Sequence, residues 1–151
     1  PGIPSPDGLR LVYSANPVGA AQLVIANADG SGQIAVPAPN SSLPLGIRPR
    51  WSPDSQRIAF ANIALSPPGG TIYVVKADGT DLRRIASYTG TFDDLTWSDD
   101  ARQLFYTSGE ATGSGDSQEI VSYQVYVIVA DGLGSPSVYA QGCAIYQRAA
   151  P

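Results

Sequence analysis

The 151-residue chain is 43% hydrophobic and only 15% charged, with a formal net charge of −4. It is too apolar for a disordered chain and has no basic stripe for nucleic acid or an anionic membrane surface. Histidine and methionine are absent and Cys143 is the only cysteine, which excludes Ser-His-Asp and Cys-His catalysis, His/Cys zinc sites and an internal disulfide within these residues. Sixteen glycines and thirteen prolines fall between short apolar runs, the punctuation of an all-β chain with many turns, and no run approaches the roughly 18 apolar residues of a membrane span.

Taken in chain order, the first signal is Ser5-Pro6-Asp7-Gly8. Proline presets φ at about −65° and the aspartate caps backbone NH groups, so this is a turn. Strands are predicted over Arg10–Ala15, Gln22–Asn27 and Gln33–Val36, with Ala28-Asp29-Gly30 as a tight hairpin whose glycine supplies positive φ. Only Pro1-Gly2-Ile3-Pro4 precedes the first turn, and proline cannot donate a ladder bond, so no inner strand is predicted there. After a linker over Pro37 to Ile47 the pattern restarts. Strand Arg48–Ser52 carries Trp51 into Ser52-Pro53-Asp54-Ser55, followed by Arg57–Ile63, Thr71–Lys76, the turn Ala77-Asp78-Gly79 and Leu82–Ala86. A third round runs through Leu95–Ser98 with Trp97, the turn Ser98-Asp99-Asp100-Ala101, Gln103–Ser108, Gln124–Val129, Ala130-Asp131-Gly132 and Pro136–Ala140. Loops are expected over Ala64 to Gly70 and Gly109 to Ser117, in the same hairpin of successive copies and so on one face, where binding loops gather. A surplus apolar run, Cys143 to Gln147, follows the last copy.

The period of about 46 residues lies in the range of propeller blades. The aromatic-Ser-Pro-Asp turn, the Ile72-Tyr73-Val74-Val75 strand, Ala77-Asp78-Gly79 and the outer strand Asp81-Leu82-Arg83-Arg84-Ile85 resemble the TolB-like propeller repeat, also called PD40 or WD40-like. The resemblance covers almost the whole chain and implies an all-β fold: three four-stranded antiparallel blades over residues 5–38, 47–87 and 93–140, with residues 141–151 as a tail strand. Three blades are fewer than the four to eight of closed propellers. The reading is therefore a partial propeller, a single domain over 1–151, whose incomplete first blade is completed by another copy. The same repeat occurs in periplasmic scaffolds, surface proteins and the propellers attached to serine peptidases, so it specifies fold and leaves function open.

Candidate chemistry is sparse. Ser52 and Ser98 sit in turns without a histidine to activate them, and no apolar pocket is predicted around a carboxylate pair for glycoside hydrolysis. Asp93, Asp94, Asp99 and Asp100 flank Trp97 and are weak calcium ligands at best, since calcium needs six to eight converging oxygens. No cofactor is expected. The face of Ile58, Phe60, Tyr73 and Val75 is predicted to pack between blades, and Tyr88, Phe92, Tyr139 and Tyr146 are core residues or a surface contact. For assembly, the tail residues Cys143, Ala144, Ile145, Tyr146 and Gln147 are expected to pair beside Arg10 and Val12 of another copy. The expectation is a non-enzymatic, extracytoplasmic interaction or scaffold module, or else a self-assembling structural subunit. Its partners would be copies of itself or another protein, with no nucleic acid and no membrane insertion.

Overall fold

The computed structural model describes residues 2–15, 22–37, 49–65, 67–112 and 119–142. Twelve strands fill them: β1 Ile3–Pro4, β2 Arg10–Ala15, β3 Gln22–Asn27, β4 Ile34–Pro37, β5 Arg50–Trp51, β6 Arg57–Leu65, β7 Pro68–Lys76, β8 Arg83–Thr89, β9 Thr91–Trp97, β10 Gln103–Thr112, β11 Glu119–Val129 and β12 Ser137–Gly142. They form three four-stranded antiparallel sheets in simple meander order, β1 to β4, β5 to β8 and β9 to β12. No helix among the described residues is long and apolar enough to cross a membrane.

The first sheet corrects one expectation, because its inner strand is present. Ile3 lies opposite Val12 and Pro4 opposite Leu11. The Ser5 NH donates to the Arg10 carbonyl at 2.9 Å. Antiparallel pairs alternate between bonded and non-bonded, so Pro4 falls in a non-bonded pair and its missing proton costs no ladder bond. Its nitrogen faces the open edge, where proline is tolerated. The inner edge of β2 is thus occupied at Leu11 and Val12 by the chain itself. Val12 is wholly buried and Arg10 half-buried. This removes the premise for a tail strand pairing there, and Cys143 to Gln147 lie outside the described residues.

Two hairpins are also longer than expected. β6 and β7 continue through Leu65 and Pro68, and β10 and β11 through Thr112 and Glu119, where loops were predicted over Ala64 to Gly70 and Gly109 to Ser117. Gly70 sits at the tightest point of the first. A Cβ there would collide with the Asn62 carbonyl and the Tyr88 ring, whose hydroxyl donates to that carbonyl at 2.9 Å.

The sheets stack face to face by one repeated contact. Val12, Leu23, Ile25 and Val36 of the first sheet meet Ile58, Phe60, Tyr73 and Val75 of the second. The opposite face of the second sheet, Ala59, Ala61, Ile72, Val74 and Ile85, meets Leu95, Trp97, Leu104, Tyr106 and Ile128 of the third. Each fully covered aliphatic or aromatic side chain contributes roughly 1.5–3 kcal/mol, so these two seams dominate stability. Both tryptophans reach back along the stack. Trp51 Nε1 donates to the Ile3 carbonyl and Trp97 Nε1 to the equivalent Arg50 carbonyl, each at 3.0 Å. Among the described residues nothing covers the far face of the third sheet. Tyr139, set edge-on against Phe105, is 67% exposed, whereas its counterpart Ile85 on the second sheet is 6% exposed.

Candidate functional site

The Ser-Pro-Asp-like turns are structural. Ser5, Ser52 and Ser98 hydroxyls donate to Asp7, Asp54 and Asp100 at 2.6, 2.5 and 2.6 Å, and accept from the NH groups of Arg10, Arg57 and Gln103. The Ser98 hydroxyl, followed by the Arg102 NH, holds the Asp100 carboxyl below the usual carboxylate range. Ser5 and then Leu9 do the same for Asp7. Hydroxyls committed in this way make poor nucleophiles. Asp94 is engaged by Arg50 at 2.9 Å and by the Leu95 NH at 2.8 Å. Asp93 and Asp99 are exposed. Asp93 and Asp94 belong to β9 while Asp99 and Asp100 lie past its end, and among the described residues no three His, Cys, Asp or Glu side chains converge on a cation position.

A concave site lies instead in the seam between the second and third sheets. A cleft of about 260 Å³ opens there between the end of β8 and the middle of β10 and β11. Its walls are Tyr88 from β8, Tyr106 and Ser108 from β10, and Gln124 and Tyr126 from β11, with Pro136 at the margin. Tyr106 and Tyr126 stack at 5.0 Å with their planes 13° apart, and Tyr88 stands 6.3 Å from Tyr106. Cross-strand register produces this wall, since Tyr106 lies directly opposite Tyr126 in the ladder.

Most of the polar groups are already used. Tyr88 Oη donates to the Asn62 carbonyl, Tyr126 Oη to Gln124 Oε1 at 2.7 Å, and Ser108 Oγ to the Thr89 carbonyl at 2.7 Å. The Tyr106 hydroxyl has no hydrogen-bond partner among the described residues, although the residue is only 3% exposed. Burial, with the Tyr126 phenol beside it, pushes that hydroxyl up to about 12, so it stays a neutral proton donor across the physiological range. Among the described residues no charged side chain lines the cleft. Tyr88 and Phe92 are thus interior rings, packed at 4.9 Å, while Tyr139 lies on the open end face and Tyr146 lies outside the described residues.

Sequence reasoning missed this cleft. Its signal is a change within the repeat: Tyr106 occupies the position of Phe60, and Tyr126 that of Tyr73. At the first seam Phe60 and Tyr73 stack at 5.5 Å and are closed over, 0% and 5% exposed. At the second, the added hydroxyl goes with an opening.

The stacked four-stranded meanders superimpose on solved propellers. A protein of Agrobacterium tumefaciens assigned as a TolB superimposes with a TM-score of 0.64 at 18% identity, over 93% of this chain and 48% of its own length. The fold is the TolB-like β-propeller. The acylaminoacyl peptidase of Pyrococcus horikoshii superimposes on these TolB-like blades with a TM-score of 0.63 at 15% identity, over 91% of this chain and 24% of that one. Among curated proteins, dipeptidyl-peptidase 5 of Porphyromonas endodontalis is 31% identical over 112 residues, 69% of this chain. The chain spans 15% of the length of that relative. No family model matches.

These findings correct the functional expectation. A scaffold or self-assembling module that is not an enzyme was expected from the missing histidine and the turn-bound serines and aspartates. The sequence relative is a peptidase, and peptidases recur among the structural neighbours. The absence of histidine bears only on these 151 residues, and the repeat itself is shared between scaffolds and peptidases.

Proposed function

We propose that the TolB-like blades of this chain form one arc of the propeller of a peptidase, acting in the reception of its peptide substrate. The observation that carries this reading is the 31% identity to dipeptidyl-peptidase 5 over 112 residues. The exposed face of the third blade supports it, because Tyr139 occupies the repeat position of Ile85, which the next blade covers in the second sheet. A Ser-His-Asp relay in such a peptidase takes its histidine from outside these residues, none of which is histidine. The site of action is extracytoplasmic. The TolB-like fold and a surface with a single lysine, Lys76, favour that placement.

The test is an assay of the protein purified from its native source through an affinity tag. Release of the two-residue unit from a free-amino-terminal dipeptidyl p-nitroanilide supports the reading. Absence of release from that substrate and from an acyl-blocked amino-acid p-nitroanilide overturns it.

A further inference from the structure

The cleft between the second and third blades has the chemistry of a site rather than of a packing fault. A gap of about 260 Å³ is far larger than the ~30 Å³ share of one water. It is walled by phenol rings and holds a hydroxyl with no hydrogen-bond partner among the described residues. Among the described residues no buried side-chain polar atom lacks a hydrogen bond, so this unpartnered hydroxyl is open to the cleft, where an entering ligand can take its proton. The first seam is the internal control. There the same two repeat positions hold Phe60 and Tyr73, no hydroxyl stands at the first, and the rings are covered.

The donor and acceptor inventory defines what fits. Tyr88, Ser108 and Tyr126 have spent their hydroxyl protons on Asn62, Thr89 and Gln124. The groups left to give a proton are the hydroxyls of Tyr106, Ser87 and Thr89 and the NH2 of Gln124, whose oxygen faces Tyr126. Arg84 is outside the lining and donates to Ser87 Oγ at 2.6 Å. A ligand here is therefore uncharged, presents a hydrogen-bond acceptor, and lays a compact apolar ring against stacked phenols. A prolyl residue in an extended peptide meets all three requirements. Its ring packs on aromatic faces, its flanking carbonyls accept, and its stiff backbone loses little entropy on binding.

We infer that the Tyr88–Tyr106–Tyr126 cleft binds an uncharged, proline-containing peptide segment, with the Tyr106 hydroxyl donating to a peptide carbonyl. This rests on the peptidase reading for its biological source of peptide, and on the cleft's own geometry for its chemistry.

The probe is N-acetyl-Gly-Pro-amide, titrated into the intact chain carrying ring-labelled tyrosine and followed by NMR. The expected result is saturable shifts of Tyr106 and Tyr126 ring signals in about the millimolar range, as befits so small a ligand. Tyr106→Phe restores the residue of the first seam and weakens binding by about five-fold or more. Tyr13→Phe, at the same repeat position in the first sheet, leaves it unchanged. Gln124→Ala serves as the second variant and also weakens it. The proposal is overturned by equal binding in Tyr106→Phe, by absence of saturable shifts at tens of millimolar probe, or by Tyr106-dependent binding of methyl β-glucoside in place of the peptide. Because no hydrolysis is measured, peptide binding in a protein without peptidase activity sinks the functional reading alone. Peptidase activity without peptide binding here sinks the cleft alone.

Discussion

Exchanging the two residues at one repeat position, Phe60→Tyr and Tyr106→Phe, isolates what the added hydroxyl does. Phe60 is wholly buried at the first seam and stacked on Tyr73. A hydroxyl on its ring finds no space and no described partner. The unsatisfied donor costs about 1–3 kcal/mol, and displacing well-packed neighbours costs a similar amount that overlaps with it. A total of about 2–4 kcal/mol is expected for Phe60→Tyr. Tyr106→Phe removes a hydroxyl that forms no described hydrogen bond and faces a cleft, so its cost is within about 0.5 kcal/mol of zero. Urea unfolding followed by tryptophan fluorescence measures both. With m of about 1–3 kcal/mol/M, the first variant loses roughly 1–2 M in midpoint and the second holds its midpoint. A neutral Phe60→Tyr, or a Tyr106→Phe that loses more than about 1.5 kcal/mol, would refute the assignment of one seam as closed and the other as open.

Other consequences follow from the contacts between blades and from the turns. Trp97→Phe keeps a ring in the seam but loses the bond to the Arg50 carbonyl and weakens the contact with Arg57, which lies 5.0 Å over the indole; chemical denaturation should register a loss of about 1–2 kcal/mol. Gly79→Ala and Gly30→Ala both place a side chain at positive φ, at a shared cost of about 1–2 kcal/mol. Only at Gly79 does the new Cβ come within 2.6 Å of Ile34, while at Gly30 nothing lies within 4 Å, so paired melts should rank Gly79→Ala clearly lower. The carboxyl of Asp100 is held below its ordinary 3.8 chiefly by Ser98, so its stabilising contribution is complete above pH 3.8 and fades as pH falls through the depressed folded value. Asp100→Asn should therefore be the less stable protein at pH 7, with the gap to wild type narrowing as the pH is lowered below that point, and a gap that did not narrow in acid would contradict this origin.

The turns were legible because their chemistry is local. Ser-Pro-Asp caps its own backbone within five residues, and the Ala-Asp-Gly glycines carry the positive φ anticipated for them, 84°, 81° and 76° at Gly30, Gly79 and Gly132. The seam of Ile58, Phe60, Tyr73 and Val75 was legible because alternation along a strand fixes one face. The inner strand at Ile3 and Pro4 was missed because a proline's missing proton matters only in a bonded pair, and the pairing register is not written in the sequence. The cleft was missed because Tyr88 and Tyr106 meet only after two sheets are stacked, and Tyr126 joins Tyr106 only through the ladder. The phenylalanine-to-tyrosine change between aligned repeats was the visible clue. Function was misjudged for another reason: missing histidine limits what these residues do by themselves and says nothing of the protein to which a propeller arc belongs.

The central claim, that these blades are one arc of a larger peptidase propeller, is tested most directly at Tyr139. In the isolated chain this ring is 67% exposed on the end face of the third blade, where the second blade's equivalent is covered by its neighbour. Hydroxyl-radical labelling followed by mass spectrometry should modify Tyr139 readily in the 151-residue chain. It should find Tyr139 strongly protected in the protein isolated from its native source, with the already buried Tyr73 protected in both. Equal labelling of Tyr139 in the two samples would mean that no further blade covers this face, and would contradict the account.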